Sequence, residues 1–72
     1  MSKYSKNPIL GPYLYRDTGE SYRGQYFKGQ RWGFGKQVTA SGEYYIGQWE
    51  HDKRNGKGRL IMENGDMFEG DF

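Results

Sequence analysis

The feature that most constrains this chain is an internal repeat of 23 residues. Glycine recurs at that step in four columns, namely Gly19, Gly42 and Gly65; Gly24, Gly47 and Gly70; Gly33 and Gly56; and Gly35 and Gly58. Aromatic and acidic residues keep the same step, as Tyr22, Tyr45 and Phe68, as Tyr26, Trp49 and Phe72, and as Glu20, Glu43 and Asp66. A fixed period of this kind indicates a tandem array in which each unit packs on its neighbours.

The phase of the repeat divides the chain into an N-terminal tail at 1–8 and a repeat array at 9–72. The array comprises a partial unit at 9–21, full units at 22–44 and 45–67, and a truncated unit at 68–72. In the first unit Leu10 and Pro12 stand where the full units have a Gly-x-Gly pair. That unit is therefore degenerate in the way that capping repeats are.

Each unit places a dipeptide ending in glycine between two strand-like runs: Thr18-Gly19, Ser41-Gly42 and Asn64-Gly65. Asn-Gly is the favoured filling of a two-residue type I′ turn, so the sequence predicts hairpin tips at these dipeptides. Two-residue tips set three facing pairs, Tyr15 with Tyr22, Val38 with Tyr45, and Ile61 with Phe68. The connections at 27–32 and 50–55 are polar, and we expect them to form solvated loops at the other margin of the sheet.

Strand alternation then gathers the aromatic side chains on one face of the sheet. The predicted members of that face are Tyr22, Tyr26, Tyr45, Trp49, Phe68 and Phe72, joined by Phe34, Val38 and Ile61. The opposite face is predicted to carry Arg23, Gln25, Gln37, Gln48, Glu69 and Asp71. The recurrent glycines would leave a slot in which neighbouring rings, or the stems of Lys36 and Arg59, lie flat. No window has a sustained helical period, so the predicted fold is all-β: a single-layer antiparallel meander of about five strands, curved and twisted.

Composition argues against an enzyme. A chain of 72 residues without cysteine has a thin core, no disulfide and no cysteine nucleophile. The lone His51 lies beside Asp52 in a predicted loop, and Gly29 is followed by Gln30 rather than by the lysine of a phosphate-binding loop. We therefore predict no catalysis, no metal and no cofactor. The net charge of +2, with both signs interspersed, predicts no nucleic-acid binding.

The motif Tyr45-Ile-Gly47-Gln-Trp49, followed by Gly56-Lys-Gly58, Gly65 and Phe68-Glu-Gly70-Asp-Phe72, resembles the MORN repeat, the membrane occupation and recognition nexus. Tyr22-Arg-Gly24-Gln-Tyr26 with Gly29, Gly33 and Gly35 follows the same pattern, and the resemblance covers 9–72. Asp52 departs from it in the place of Gly29. The resemblance implies an extended, curved array of hairpins that serves as a protein-interaction or architectural module, often in ciliary, cytoskeletal or membrane-junction assemblies.

The favoured hypothesis is a scaffold whose aromatic face docks onto a partner protein in a larger ciliary, axonemal or cytoskeletal assembly. The candidate partner-binding residues are Tyr22, Tyr26, Trp32, Phe34, Tyr45, Trp49, Phe68 and Phe72. Exposed aromatic surface is typical of interaction sites. Core packing is the alternative for the rings nearest the hairpin tips. The edge at 68–72 is a further candidate for strand pairing with another chain.

The second hypothesis is a peripheral membrane module that binds anionic phospholipids through basic loops. Its candidate residues are Lys28, Arg31, Lys53, Arg54, Lys57 and Arg59. Acidic residues interleave with them, so a solvated charged rim is the alternative. In either case we expect an intracellular location, in the cytoplasm or cytoskeleton, with the cilium as one such site.

Overall fold

A computed structural model describes residues 7–72 as one open sheet, so most of the predicted tail at 1–8 lies outside the described residues. The strands are β1 Leu10–Tyr15, β2 Glu20–Phe27, β3 Gln30–Val38, β4 Tyr44–Glu50, β5 Lys53–Ile61 and β6 Met67–Asp71. Their order in the sheet is their order in the chain, and every neighbouring pair is antiparallel. The predicted all-β, single-layer antiparallel meander is confirmed. It has six strands rather than about five. Within residues 7–72, no helix is long and apolar enough to cross a membrane.

The two-residue turns lie at the end of the sheet where loops were expected. Lys28 and Gly29 connect β2 to β3 with φ values of 52° and 77°, and His51 and Asp52 connect β4 to β5 with 53° and 67°. Two consecutive left-handed residues are typical of a type I′ turn, whose twist matches that of the flanking strands. The expectation of solvated loops at 27–32 and 50–55 is therefore wrong. Aspartate tolerates the left-handed conformation better than most residues, which lets Asp52 stand where the preceding unit has Gly29.

The predicted two-residue tips at the other end are also wrong. The Gly42 N–H donates to the Thr39 carbonyl at 3.0 Å, and the Thr39 N–H donates to the Glu43 carbonyl at 2.9 Å. These bonds enclose a three-residue loop, a type I turn closed by a left-handed glycine with φ 99°. The loop that ends at Gly65 repeats this arrangement. A small or polar residue followed by glycine suits both kinds of loop, so the dipeptide alone did not distinguish them.

The longer tips shift the predicted register of two hairpins by one residue. The observed facing pairs are Gln37 with Tyr45 and Leu60 with Phe68. Because side chains alternate along a strand, a shift of one residue moves its neighbours to the opposite side of the sheet. Val38, Ile61 and Phe34 therefore lie on the face opposite the rings, and their predicted placement is wrong. Gln37 lies on the same side of the sheet as the rings and is buried, so its predicted placement on the opposite, polar face is wrong.

In the first hairpin the register differs from the predicted one by two residues, and Tyr13 faces Tyr22. A shift of two preserves the side of the sheet, so Tyr15 stays with the rings. We call the side that carries Tyr22, Tyr45 and Trp49 the ring face, and the opposite side the open face.

Glycines face one another across five strands and form a continuous row on the ring face. This glycine row consists of Gly24, Gly35, Gly47, Gly58 and Gly70. The Tyr22 ring lies across Gly35 and the Tyr45 ring lies across Gly58. A Cβ at Gly58 would lie 2.5 and 2.6 Å from the Cε1 and Cζ atoms of Tyr45. The predicted glycine slot is thus confirmed for the rings. The stems of Lys36 and Arg59 do not fill it, since these residues face Ile46 and Glu69 on the open face.

Candidate functional site

The rings form a continuous edge-to-face ladder along the sheet. Successive centroid distances are 5.6 Å for Tyr13 to Tyr26, 5.1 Å for Tyr26 to Tyr22, 5.2 Å for Tyr22 to Trp49, 5.3 Å for Trp49 to Tyr45, and 5.0 Å for Tyr45 to Phe72. Each full unit contributes a tyrosine and the aromatic residue four positions later. Such pairs contribute about 0.5–1.5 kcal/mol each beyond the area they bury. The ladder therefore joins consecutive units into one core.

The polar atoms of the ladder are also satisfied. The Tyr22 hydroxyl donates to the Gln25 carbonyl at 2.9 Å, and the Tyr45 hydroxyl donates to the Gln48 carbonyl at 2.8 Å. The Trp49 indole N–H donates to the Gly35 carbonyl at 3.2 Å. Burial raises the pKa of both tyrosines above the ordinary value, so they remain neutral donors over a wide pH range.

Three of the candidate partner-binding residues belong to this core. Tyr22, Tyr45 and Trp49 are at most 4% exposed. Tyr26 is partly buried, and its hydroxyl lies 2.6 Å from that of Tyr15. These four rings hold the sheet together, and the first three present almost no surface to a partner.

The remaining candidates lie in three separate places. Trp32 is partly buried at the end with the two-residue turns, where it packs on Phe27 and on His51 at 5.4 and 4.3 Å. Phe34 is exposed on the open face, and Phe68 and Phe72 are exposed on β6 and just after it. The structure therefore distributes the predicted partner-binding residues over two faces and one edge.

Arg31 covers the ring ladder from the solvent side. Its guanidinium carbon lies 4.6 Å from the Trp49 ring centroid, within range of a cation–π interaction. Its Nη1 and Nε atoms lie 2.7 Å from carboxylate oxygens of Glu20 and Asp52. Burial alone would lower the pKa of Arg31, but its hydrogen bonds to Asp52 and Glu20 outweigh burial and raise it. Burial would raise the pKa of Asp52, but the Arg31 partner lowers it overall.

Arg54 occupies the equivalent position one unit later. Its guanidinium carbon lies 4.9 Å from the Tyr45 ring centroid, and its Nε and Nη2 atoms donate to Gln37 Oε1 at 2.9 and 2.7 Å. Gln37 Nε2 donates in turn to Glu20 Oε1 at 3.0 Å, which joins the two arginine clusters. Arg31 and Arg54 are 23 residues apart, and each follows a hairpin-tip glutamate by eleven residues. That column was present in the sequence and would have identified both arginines as parts of the repeat.

The basic residues proposed for lipid binding differ widely in availability. Arg31 and Arg54 are largely buried in the clusters described above rather than in solvated loops. Lys57 lies 3.5 Å from Asp71 and Arg59 lies 2.6 Å from Glu69, in exposed ion pairs. Within residues 7–72, only Lys28 and Lys53 of this set are exposed without an ion pair.

The open face carries an apolar row that no other described element covers. The facing residues of this row, apolar or aromatic except for the serine, are Leu14, Ser21, Val38, Tyr44, Ile61 and Met67, one from each strand. Val38 and Met67 are 39% and 58% exposed. The next row includes Arg23 and Lys36, which face each other and make no ion pair in the described part of the chain. An apolar strip beside a basic pair is therefore available for contact.

In the described range 7–72, no three histidine, aspartate or glutamate side chains come together as metal ligands do. The described sheet thus has a ring face covered by Arg31 and Arg54, an open face, and an edge at β6 that no described strand pairs with.

The family model of the MORN repeat matches the chain twice, at residues 22–44 and 45–67. These two matches cover more than half of the 72 residues, and the chain belongs to the MORN repeat family. MORN repeats are non-enzymatic modules that generally mediate interactions with proteins or membranes. No curated protein matches closely enough to indicate a nearer relative.

Proposed function

We propose that this protein is a non-catalytic scaffold module that binds a partner protein in a larger assembly, and that the open face makes the contact. The observation that supports this proposal is the uncovered apolar row on a sheet of one layer. The ring face is already closed by Arg31 and Arg54, whereas Val38 and its neighbours remain accessible. Exposed apolar strips rimmed by charge are typical of protein interfaces.

The charges beside the row define the chemistry of the partner. Arg23 and Lys36 face each other on neighbouring strands and lack acidic partners in the described residues. A complementary surface would combine apolar side chains with carboxylates, since like charge opposite this pair would oppose association. The family resemblance supports an assembly of the cytoskeletal or ciliary kind, in the cytoplasm.

The test is affinity purification of the tagged full chain under gentle conditions, with quantification of the co-purifying proteins. A Val38→Ser variant and an Arg23→Glu, Lys36→Glu double variant are each expected to lower recovery of the partner about tenfold. The matched control is Lys28→Glu with Lys53→Glu, which reverses two charges at the end of the sheet with the two-residue turns, away from the apolar row. Undiminished recovery with folded open-face variants would contradict the proposal.

Binding to anionic phospholipid is the second candidate, and it has less support because four of its six basic residues are held in ion pairs. The exposed Lys28 and Lys53 favour it. Flotation with vesicles containing phosphatidylserine measures it directly. Salt-sensitive flotation that the Lys28→Glu, Lys53→Glu variant abolishes would establish this function in place of the first.

A further inference from the structure

We propose that a hollow on the open face, between Ile9, Arg23, Phe34 and Lys36, binds a phosphorylated tyrosine side chain of the partner protein. The inference rests on the proposed scaffold function. It names the group that the open face recognises beside the apolar row, and it makes phosphorylation of the partner the event that controls the contact.

The hollow has the size of a single side chain. Its volume is about 200 Å³, and the Gly24 backbone forms its floor. Pockets that enclose a whole ligand or cofactor measure about 300–1,000 Å³. Ile9 and Phe34 form apolar walls and are 58% and 44% exposed, so an entering group would cover both of them. The hollow therefore suits one side chain that is inserted from a partner.

Two cations at the hollow have no counterion. Arg23 and Lys36 are exposed, face each other on β2 and β3, and make no ion pair in the described part of the chain. The tail at 1–8 contains no aspartate or glutamate, so no side-chain carboxylate of the tail can serve. Like charges that face each other across neighbouring strands are destabilising. An anion bound between them would remove this repulsion.

The next unit shows that the repeat itself does not require these residues. The positions 23 residues after Arg23 and Phe34 hold Ile46 and Lys57, although the strands pair in the same way. A residue needed for packing would recur at the same step, as Tyr22 does. The arginine and the aromatic wall are therefore particular to the first full unit, and a ligand accounts for them better than the fold does.

The next unit also shows which group satisfies a cation in this row. Arg59 stands one unit after Lys36, and its Nη2 atom lies 2.6 Å from Glu69 Oε2. Arg59 faces Glu69 on the following strand, whereas Lys36 faces Ile46 there, and Ile46 offers no acceptor. Lys36 therefore lacks the oxyanion that Arg59 has.

The identity of the ligand follows from the two charges and the two walls. A carboxylate neutralises one of the two cations, whereas a phosphate monoester carries about −1.5 to −2 charge at pH 7 and three acceptor oxygens. A guanidinium donates to phosphate through two parallel N–H groups, and an ammonium binds it as a point charge. Phe34 and Lys36 are two residues apart on one side of β3, or about 6.6 Å, so a ring against Phe34 carries its phosphate to Lys36. Phosphoserine would reach the cations and leave both apolar walls uncovered.

The experiment titrates the isotope-labelled full chain with phenyl phosphate, the terminal group of a phosphotyrosine side chain, at fixed ionic strength, and follows amide chemical shifts by NMR. We expect saturable shifts at Arg23, Gly24 and Lys36. Inorganic phosphate lacks the ring and benzoate lacks the second charge, so each is expected to bind at least about fivefold more weakly than phenyl phosphate. Equal dissociation constants for phenyl phosphate and either of the other two probes would overturn the proposal.

On the protein side, Arg23→Gln and Lys36→Gln are each expected to weaken binding of phenyl phosphate about tenfold. Phe34→Ala should weaken binding of phenyl phosphate and leave that of inorganic phosphate unchanged, a difference that charge alone would not produce. The matched control is Lys28→Gln. Lys28 Nζ lies 5.3 Å from the centroid of the Phe27 ring, so it also places an exposed cation beside a ring, and its loss should change neither affinity. Circular dichroism establishes that each variant is folded, and undiminished binding to a folded Arg23→Gln variant would contradict the proposal.

The outcomes separate this inference from the proposed function. If Val38→Ser lowers recovery of the partner while phenyl phosphate binds no better than inorganic phosphate, the scaffold function stands and the phosphotyrosine inference is wrong. If vesicles that contain a phosphoinositide bind the chain through Arg23 and Lys36, and phenyl phosphate again has no advantage, the basic pair belongs to a membrane contact and the inference is also wrong. Preferred binding of phenyl phosphate with undiminished recovery after Val38→Ser would support the hollow and contradict the role of the apolar row.

Discussion

Replacing Gly58 with alanine separates local conformational preference from the tertiary role of the glycine row. Gly58 has no positive φ, so its backbone is accessible to any residue. Local preference alone would make Gly58→Ala stabilising by about 0.5–1 kcal/mol. The Tyr45 ring reverses that expectation. The new Cβ would lie 2.5 and 2.6 Å from two ring carbons, whereas carbon atoms pack at about 3.5–4.0 Å.

The ring has no room to yield within the core. Tyr45 is 0% exposed and contacts Trp49 and Phe72 edge-on, so the clash must push it toward solvent. Re-exposing roughly half of a tyrosine, about 100 Å², costs about 2.5 kcal/mol. Loss of the hydrogen bond to the Gln48 carbonyl adds about 1 kcal/mol. After the gain of about 0.5–1 kcal/mol from local preference, Gly58→Ala should lower the free energy of unfolding by about 2.5–3 kcal/mol.

The assay is urea unfolding followed by far-UV circular dichroism and tryptophan fluorescence. Because a small domain has little stability to lose, all variants are best compared in a fixed concentration of sucrose, which favours the folded state. In a Tyr45→Ala background the clash is absent, so the same substitution should be stabilising by about 0.5–1 kcal/mol, as local preference alone predicts. A neutral or stabilising Gly58→Ala would refute the packing role of the glycine row, and so would an equal cost in both backgrounds.

Three further outcomes follow from the described contacts. Arg31→Lys should lower the free energy of unfolding by about 1–3 kcal/mol, because an ammonium cannot bridge the Glu20 and Asp52 carboxylates and also cover the Trp49 ring. The control Lys28→Ala should change it by less than about 0.5 kcal/mol in the same urea series. The pKa of Asp52 is lowered from 3.8, so the contribution of this carboxylate to stability is present above pH 3.8 and is lost as pH falls through the folded pKa. The thermal midpoint of Asp52→Asn should therefore decline less steeply below about pH 3.8 than that of the parent protein. The pKa of Tyr45 is raised from 10.0, so its contribution is present below that value and is lost as pH rises toward the folded pKa. Tyr45→Phe should accordingly cost about 1 kcal/mol at neutral pH and show a shallower alkaline decline, and an unchanged alkaline slope would contradict this assignment.

The 23-residue step, together with the turn dipeptides and the alternation of aromatic residues within each unit, determined the architecture. Equal spacing places equivalent residues at equivalent points of successive hairpins, so the all-β class, the antiparallel order and the rings on one side all follow from columns such as Tyr22 with Tyr45. The slot at the glycines follows as well. A residue without a side chain that recurs between aromatic residues leaves space in which a neighbouring ring can pack. These features depend on periodicity, and periodicity is a property of the sequence.

The tertiary structure decided which end of each hairpin carries the two-residue turn, and with it the register. Ser41-Gly42 suits a two-residue or a three-residue loop, and nothing local chooses between them. His51 and Asp52 form a left-handed pair without any glycine, and Asp52 is bonded to Arg31 of the preceding unit, 21 residues away. The two possible strand registers have nearly equal local conformational preference, and long-range contacts such as this one select between them. That selection turns Val38 outward and Gln37 inward, because a shift of one residue exchanges the two sides of a strand.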